Sequence, residues 1–194
     1  LFNRKSFIEN SLKESSRIKL SILDTCVEDI NKAADLIKLS LKHGGKLMFC
    51  GNGGSAADCQ HIATEFVVRL SHDIKRPAIS AISLTTDSST LTAGGNDIGF
   101  ENIFARSVEA IGRKGDVLIG ISTSGNSKNV IIAVRKAREL GIHTIGLLGS
   151  GGGALKNETD MNIIIPSSNV QRIQESHITV GHILCEIVER EIYP

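Results

Sequence analysis

A chain of 194 residues, 41% hydrophobic and 22% charged, has the length of one domain and the composition of a folded one rather than a disordered one. Its formal net charge of +1 gives no electrostatic basis for holding nucleic acid or an anionic membrane surface, and no apolar run approaches the roughly 20 residues of a membrane helix. The four scattered cysteines, Cys26, Cys50, Cys59 and Cys185, form no CxxC; with no apolar signal-peptide core near Leu1, they read as free thiols of a cytoplasmic protein.

The first 45 residues hold no strand candidate. Leu20, Leu23, Val27, Ile30, Ala34, Ile37 and Leu41 recur at helical spacing, and His43-Gly44-Gly45 closes the run. Two N-terminal helices are expected, packed on the rest of the domain or on a neighbouring subunit. From residue 46, strand-like and helical segments alternate. The strand candidates are Lys46–Cys50, Ala78–Leu84, Asp116–Ile121, His143–Leu148 and Met161–Ile165, short and apolar on both faces. The helix candidates are Ser55–Leu70, Phe100–Ile111, Asn129–Leu140 and Val170–Tyr193, with a shorter one at Ser88–Ala93. Gly141 stands where a helix-ending glycine belongs. The alternation predicts an α/β fold: a doubly wound, five-stranded parallel sheet with helices on both faces and an N-terminal helix pair, residues 1–194 forming a single domain.

Ligands of open parallel sheets bind beyond the carboxyl ends of the strands, so the loops there carry the chemistry. Gly51-Asn52-Gly53-Gly54-Ser55 joins the first strand to a helix. Its glycines let a backbone approach an anion, and the helix's first N–H groups point at it. Further along that helix, His61 and Glu65 are four residues apart and share a face, as an acid–base or metal pair would. Cys59 points away from His61 and reads as a small buried residue. Ser122-Thr123-Ser124-Gly125-Asn126-Ser127 follows the third strand. Ser127 alone would cap the next helix, but four hydroxyls exceed what a cap needs, so a phosphate loop is expected. The Walker spacing and the dinucleotide fingerprint are both missing, so no nucleotide cofactor is expected.

After the second strand, Asp87 and Ser88 read as a helix cap. Asn96-Asp97 reads either as a turn or, through Asp97, as a contact to substrate hydroxyls. In the last helix Gln174, Ile178 and His182 line one side with Gly181 beside them, while Ile173, Val180, Ile187 and Val188 lie opposite. A lone His177 or His182 reads as a core or interface histidine. Gln174 and His182 together, opposite His61 and Glu65, read as a site.

Four segments, Gly51–Asp58, Gln60-His61 with Glu65, Ile121–Ser127, and Arg172–His177 with His182, resemble the sugar isomerase (SIS) family. The resemblance runs from the N-terminal helices to the last helix. It implies an aldose–ketose isomerase that converts sedoheptulose 7-phosphate to D-glycero-D-manno-heptose 7-phosphate through an enediol, feeding bacterial surface glycans. It implies Glu65 as catalytic base and His182 as catalytic acid. It implies substrate contacts from Asn52, Gly53, Gly54, Ser55, Glu65, Asn96, Asp97, Ser122, Thr123, Ser124, Ser127 and Gln174. His61, Glu65, Gln174 and His182 match positions that hold zinc in some members. The resemblance further implies a homotetramer, whose subunit interfaces are where the active sites are expected. One departure is Gln171, where several relatives carry an acidic residue that would help polarise His182 or open the sugar ring. Two rival readings stand beside this one: an adaptor that keeps the fold without catalysis, and an isomerase of sugar phosphates of another length. Adaptors of this family lack the equivalents of Glu65 and His182, and this chain has both.

Overall fold

In a computed structural model, described for residues 2–193, two long helices lead into five strands separated by helices. They are α1 (Arg4–Thr25), α2 (Val27–Lys42), β1 (Leu47–Gly51), α3 (Gly54–Val67), β2 (Ala81–Ser83), α4 (Ser88–Asp97), α5 (Ile103–Ile111), β3 (Val117–Ser122), α6 (Lys128–Glu139), β4 (His143–Leu148), β5 (Met161–Ile164) and α7 (Val170–Ile192). Every strand pair is parallel, in the order β2-β1-β3-β4-β5. This is the expected doubly wound sheet.

The strands bury both faces, as their unbroken apolar runs require. On one face Leu47, Phe49, Ile119 and Ile145 meet Ile30 and Ile37 of α2, Phe66 of α3 and Val180 of α7. On the other, Met48, Cys50 and Leu118 meet Val108 of α5 and Val134 of α6. All four cysteines are buried free thiols. Burial pushes Cys59 well above the usual thiol range, so it is a packing residue as its sequence position indicated.

Some boundaries differ from the sequence expectation. The segment at Ala78–Leu84 supplies only three strand residues, because β2 is the sheet edge and pairs with β1 alone. The helix at Ser88 runs on to Asp97, so Asn96 and Asp97 end a helix rather than form a free turn. A 3-10 turn at Phe100–Asn102 precedes α5.

The apolar stripe of the first helices also differs. Leu20, Leu23 and Val27 are exposed, while Ile18 and Ile22 form the buried face of α1, with Cys26 buried just past its end. The chain breaks at Cys26, whose φ of −129° is not helical, and the helical phase restarts at Val27. A stripe extrapolated across that break lands on the wrong face. α1 is moored to the start of α7 by polar contacts: Arg172 donates to the Ser11 carbonyl at 2.6 Å and Ser15 Oγ donates to Glu175 at 2.6 Å.

His177, on α7, is a core histidine. It is fully buried, and neither ring nitrogen has a well-formed hydrogen bond. Burial pushes its pKa down to about 4, the nearby Leu148 backbone offsetting only part of the effect. An unfolded histidine takes up its proton near pH 6.5, so folding stability falls as pH drops from about 6.5 toward 4. His177→Gln removes that titration. Urea unfolding at pH 7.5 and 4.5 should show a smaller loss in the variant, by about 2.5 kcal/mol. An equal loss in both proteins would show that His177 does not govern the acid limb.

Candidate active site

The sheet order reverses between β1 and β3, and both strands end at the same level, with Gly51 opposite Ile121. Their loops therefore open on one crevice, the place where doubly wound sheets bind ligands. Asn52 of the first loop and Asn129 at the start of α6 bridge it with two reciprocal carboxamide bonds of 2.8 Å each. Two other helices starting at this end of the sheet, α4 and α7, are capped by side chains. Asp87 accepts from the Thr90 N–H to start α4, and Asn169 accepts from the Gln171 N–H to start α7. The two helices flanking the crevice are not. Neither α3, entered through Gly53, nor α6, entered through Ser127, has a side-chain cap. Two helix starts carrying partial positive charge thus face one crevice, which suits an anion such as phosphate.

The hydroxyl loop is built from within. Ser122 Oγ accepts from the Gly125 N–H at 3.1 Å and pairs with Ser127 Oγ at 3.0 Å. Ser127 is the N-cap residue of α6 by position, but its hydroxyl serves this pair rather than the helix. Ser124 is exposed, its Oγ accepting from the Asn126 N–H. A second loop, Gly149–Gly153, braces the first. Asn126 Oδ1 accepts from the Ala154 N–H at 3.0 Å, and the Gly125 carbonyl accepts from the Leu155 N–H at 2.9 Å. Gly125 has φ +66°, and a Cβ there would drive into the Gly152 carbonyl oxygen.

α7 lies along α3. The Gln174 carboxamide fills the space beside Gly54, and Ile62 fills the space beside Gly181. This seam brings His182 to His61. His61 Nε2 lies 3.0 Å from Glu65 Oε1 and 3.2 Å from His182 Nε2. One ligand atom from each of the three lies within 4.8 Å of the others. Through hydrogen bonds alone, a neutral His61 Nε2 serves only one of its two neighbours at a time. If His61 Nε2 carries a proton it donates to Glu65 and offers His182 nothing; if it does not, it faces a carboxylate. A shared cation satisfies all three groups. Two imidazoles and a carboxylate are a donor set that fits a divalent metal, zinc among them. Gln174 sits two turns before His182 on the same helix face, against the amino end of α3.

Residues 12–149 match the SIS domain family. The chain is 51% identical over 191 residues to a phosphoheptose isomerase of Clostridium acetobutylicum, an alignment spanning 97% of this chain and 96% of that one. This chain belongs to the phosphoheptose isomerase family of SIS domains. Solved phosphoheptose isomerases share its fold. The structure from Neisseria gonorrhoeae superposes with a TM-score of 0.91 at 41% identity, covering 97% of this chain and 100% of that one. The one from Francisella tularensis gives 0.93 at 36% identity, covering 97% and 100%.

Within this phosphoheptose isomerase fold, most residues singled out from the sequence converge. Asn52, Gly53, Gly54 and Ser55 follow β1 and Ser122, Thr123, Ser124 and Ser127 follow the adjacent β3 on either side of the switch point, and His61, Glu65 and His182 form one cluster. Asn96 and Asp97 stand exposed at the end of α4, Asn96 donating to Asp97 at 2.7 Å. Gln171 is exposed and lies eleven residues before His182, about 16 Å along a helix. At that distance it does not polarise His182 within one chain.

Three features of the site go beyond the sequence expectation. Asn129 reads in sequence only as a helix start, yet it is buried and locks the two loops together. The Gly149–Gly153 run has no assigned role in sequence, although its glycines are a signal of close backbone approach. Asp58 lies one turn before His61; its Oδ2 is buried without a partner, and burial, partly offset by His61, pushes its pKa up to about 6.

The brace makes Gly125 a sensitive test of the loop. Gly125→Ala should raise KM for a phosphorylated sugar by about tenfold or more, the worth of one charge-assisted hydrogen bond, while kcat changes much less. Steady-state kinetics on a sugar phosphate checks this. An unchanged KM would detach the Ser122–Ser127 loop from phosphate binding.

Proposed function

We propose that this chain is a phosphoheptose isomerase that interconverts sedoheptulose 7-phosphate and D-glycero-D-manno-heptose 7-phosphate. Moving a carbonyl between C1 and C2 needs a proton taken from one carbon and returned to the other through an enediol. The observation that carries the reading is the His61–Glu65–His182 cluster on the α3–α7 seam, beside two helix starts at the switch point. The phosphate binds at the amino ends of α3 and α6. The reacting carbons lie against the cluster, which begins about 10 Å further along α3. Binding energy at the phosphate then orients the carbons at the other end.

Glu65 is half-buried and acts as the base on the C1 and C2 protons. His182 moves the second proton between the two oxygens, so no net charge is left on the enediol. His61, in contact with both, sets their separation. His61, Glu65 and His182, with Gln174, are the residues that would hold zinc, and zinc bound there supplies Lewis-acid polarisation of the carbonyl. The adaptor reading leaves this cluster without a purpose. The cytoplasm is the proposed location, consistent with four free thiols; among the described residues no helix is long and apolar enough to cross a membrane. The product is proposed to enter precursors of surface glycans.

The proposed assembly is a homotetramer. Phe7, Ile8, Leu12, Leu20 and Leu23 are each more than half exposed along α1, an apolar surface that suits a second copy. His61, Glu65 and His182, by contrast, come from one chain.

Four measurements test these readings. Glu65→Gln should abolish turnover of sedoheptulose 7-phosphate with the fold intact, and His182→Gln should lower it by about 100-fold or more. In deuterium oxide the product should carry deuterium beside the carbonyl. Turnover of Glu65→Gln within tenfold of the unaltered protein would remove it from the mechanism. Light scattering should give four times the 20.8 kDa chain mass. Mixed oligomers of Glu65→Gln and His182→Gln chains should stay inactive, since the cluster is intrachain; recovered activity would place His182 in a neighbour's site.

A further inference from the structure

Behind the cluster lies a second set of charges that the proposed proton transfer does not use. Arg76, in the segment between α3 and β2, is buried to 1% side-chain exposure, and its partner Glu189, on α7, to 0%. Its guanidinium makes four hydrogen bonds. Nε donates to Glu189 Oε1 at 2.6 Å, and Nη2 lies 2.6 Å from the same oxygen within the ion pair. Nη1 donates to the carbonyls of Phe66 at 2.8 Å and Pro77 at 3.0 Å. Nη2 donates to the carbonyl of Glu65 at 2.7 Å. Glu189 Oε1 also accepts from the Leu70 N–H at 3.2 Å, just beyond α3.

Two of these acceptors belong to the last turn of α3, where carbonyls lack helical partners. Helices commonly end on a glycine that satisfies them locally. Here Val68 follows in αR geometry, and the guanidinium arrives from further along the chain instead. A cation at this helix end also suits its dipole. Glu189 lies seven residues, two turns, after His182 and so on the same side of α7. Cys185, one turn before Glu189, lies within electrostatic reach of Glu189, Arg76 and Glu65 together.

An ion pair this deeply buried is weak evidence for a stability role, because apolar residues of similar size often serve as well. What apolar residues cannot do is grip the Glu65 carbonyl and tie it to the helix that carries His182. We infer that Arg76 and Glu189 are positioning residues for proton transfer: they form a strut that fixes the Glu65 backbone relative to His182. The inference rests on the proposed roles of Glu65 and His182.

The test compares Arg76→Lys, the double variant Arg76→Met with Glu189→Met, and Glu65→Gln on sedoheptulose 7-phosphate, far below each melting temperature. In the double variant kcat should fall by about tenfold to a hundredfold, the scale of a small misplacement of a reacting group. KM should stay within about threefold, since the phosphate loops are untouched. With substrate deuterated at the abstracted carbon, the isotope effect on kcat should rise, because proton transfer becomes the slow step. Arg76→Lys keeps the charge opposite Glu189 but cannot reach all the carbonyls, so it should fold and show the same change in smaller measure. If the double variant does not fold, Arg76→Lys decides alone. A folded variant with kcat within twofold and an unchanged isotope effect overturns the strut, leaving a purely structural pair. Should Glu65→Gln itself remain active, the base assignment fails and the strut with it. Should Glu65→Gln be inactive while the strut variants are normal, only the strut fails.

Discussion

Gly181 has no side chain, and Ile62 fills the space where one would be. One helical stretch away, Gln174 fills the corresponding space beside Gly54. These two contacts let α3 and α7 run close enough for His182 to reach His61 and, through it, Glu65. A Cβ at Gly181 would meet the Ile62 side chain at 2.5 Å, and one at Gly54 would displace the Gln174 carboxamide. Close-packed interiors deform little, so a seam of this kind transmits its spacing directly to the groups it carries. The chemistry proposed for this chain depends on that spacing before it depends on any single acid or base.

The second constraint is the parallel register of β1 and β3. Because both strands end at the same level beside the switch point, two loops of different sequence face each other. Polar side chains keep them there: Asn52 bonds Asn129, and Ser122 bonds Ser127. What remains pointed outward is chiefly backbone N–H from two helix starts, which are donors in fixed places. Preorganised donors of this kind need no rearrangement when an anion arrives. The segment after β4 adds rigidity from behind: the Ala154 and Leu155 amides donate to Asn126 and Gly125, and Gly152 and Gly153 lie too close to Gly125 for a Cβ there.

Buried polar groups follow a pattern in this molecule. Lys46 and Asp116 fasten the start of β1 to the start of β3, and Arg76 and Glu189 fasten the end of α3 to α7. Each ties together elements that carry the site. His177 shows the opposite case: a buried histidine without a well-formed hydrogen bond, held neutral by its apolar surroundings. Charge is kept where it connects elements and suppressed where it does not.

The sequence alone determined the layered architecture, because alternating apolar runs and helical periodicity are local patterns that survive without knowledge of contacts. It also marked the glycine loop, the hydroxyl loop, the His61–Glu65 pair and the Gln174–His182 stripe, since helical spacing places such residues on one face. It misjudged the α1 stripe because a single non-helical residue, Cys26, resets the phase, and no periodicity count detects that. Only the tertiary structure decided that His61, Glu65 and His182 meet, for they lie on helices more than a hundred residues apart in the chain. The same holds for Asn129, whose partner is across the crevice, and for Arg76, whose four hydrogen bonds go to three carbonyls and to Glu189. An asparagine or arginine reads alike in sequence whether it faces water or locks two elements together. Burial and long-range hydrogen bonding make that distinction, and both belong to the folded chain.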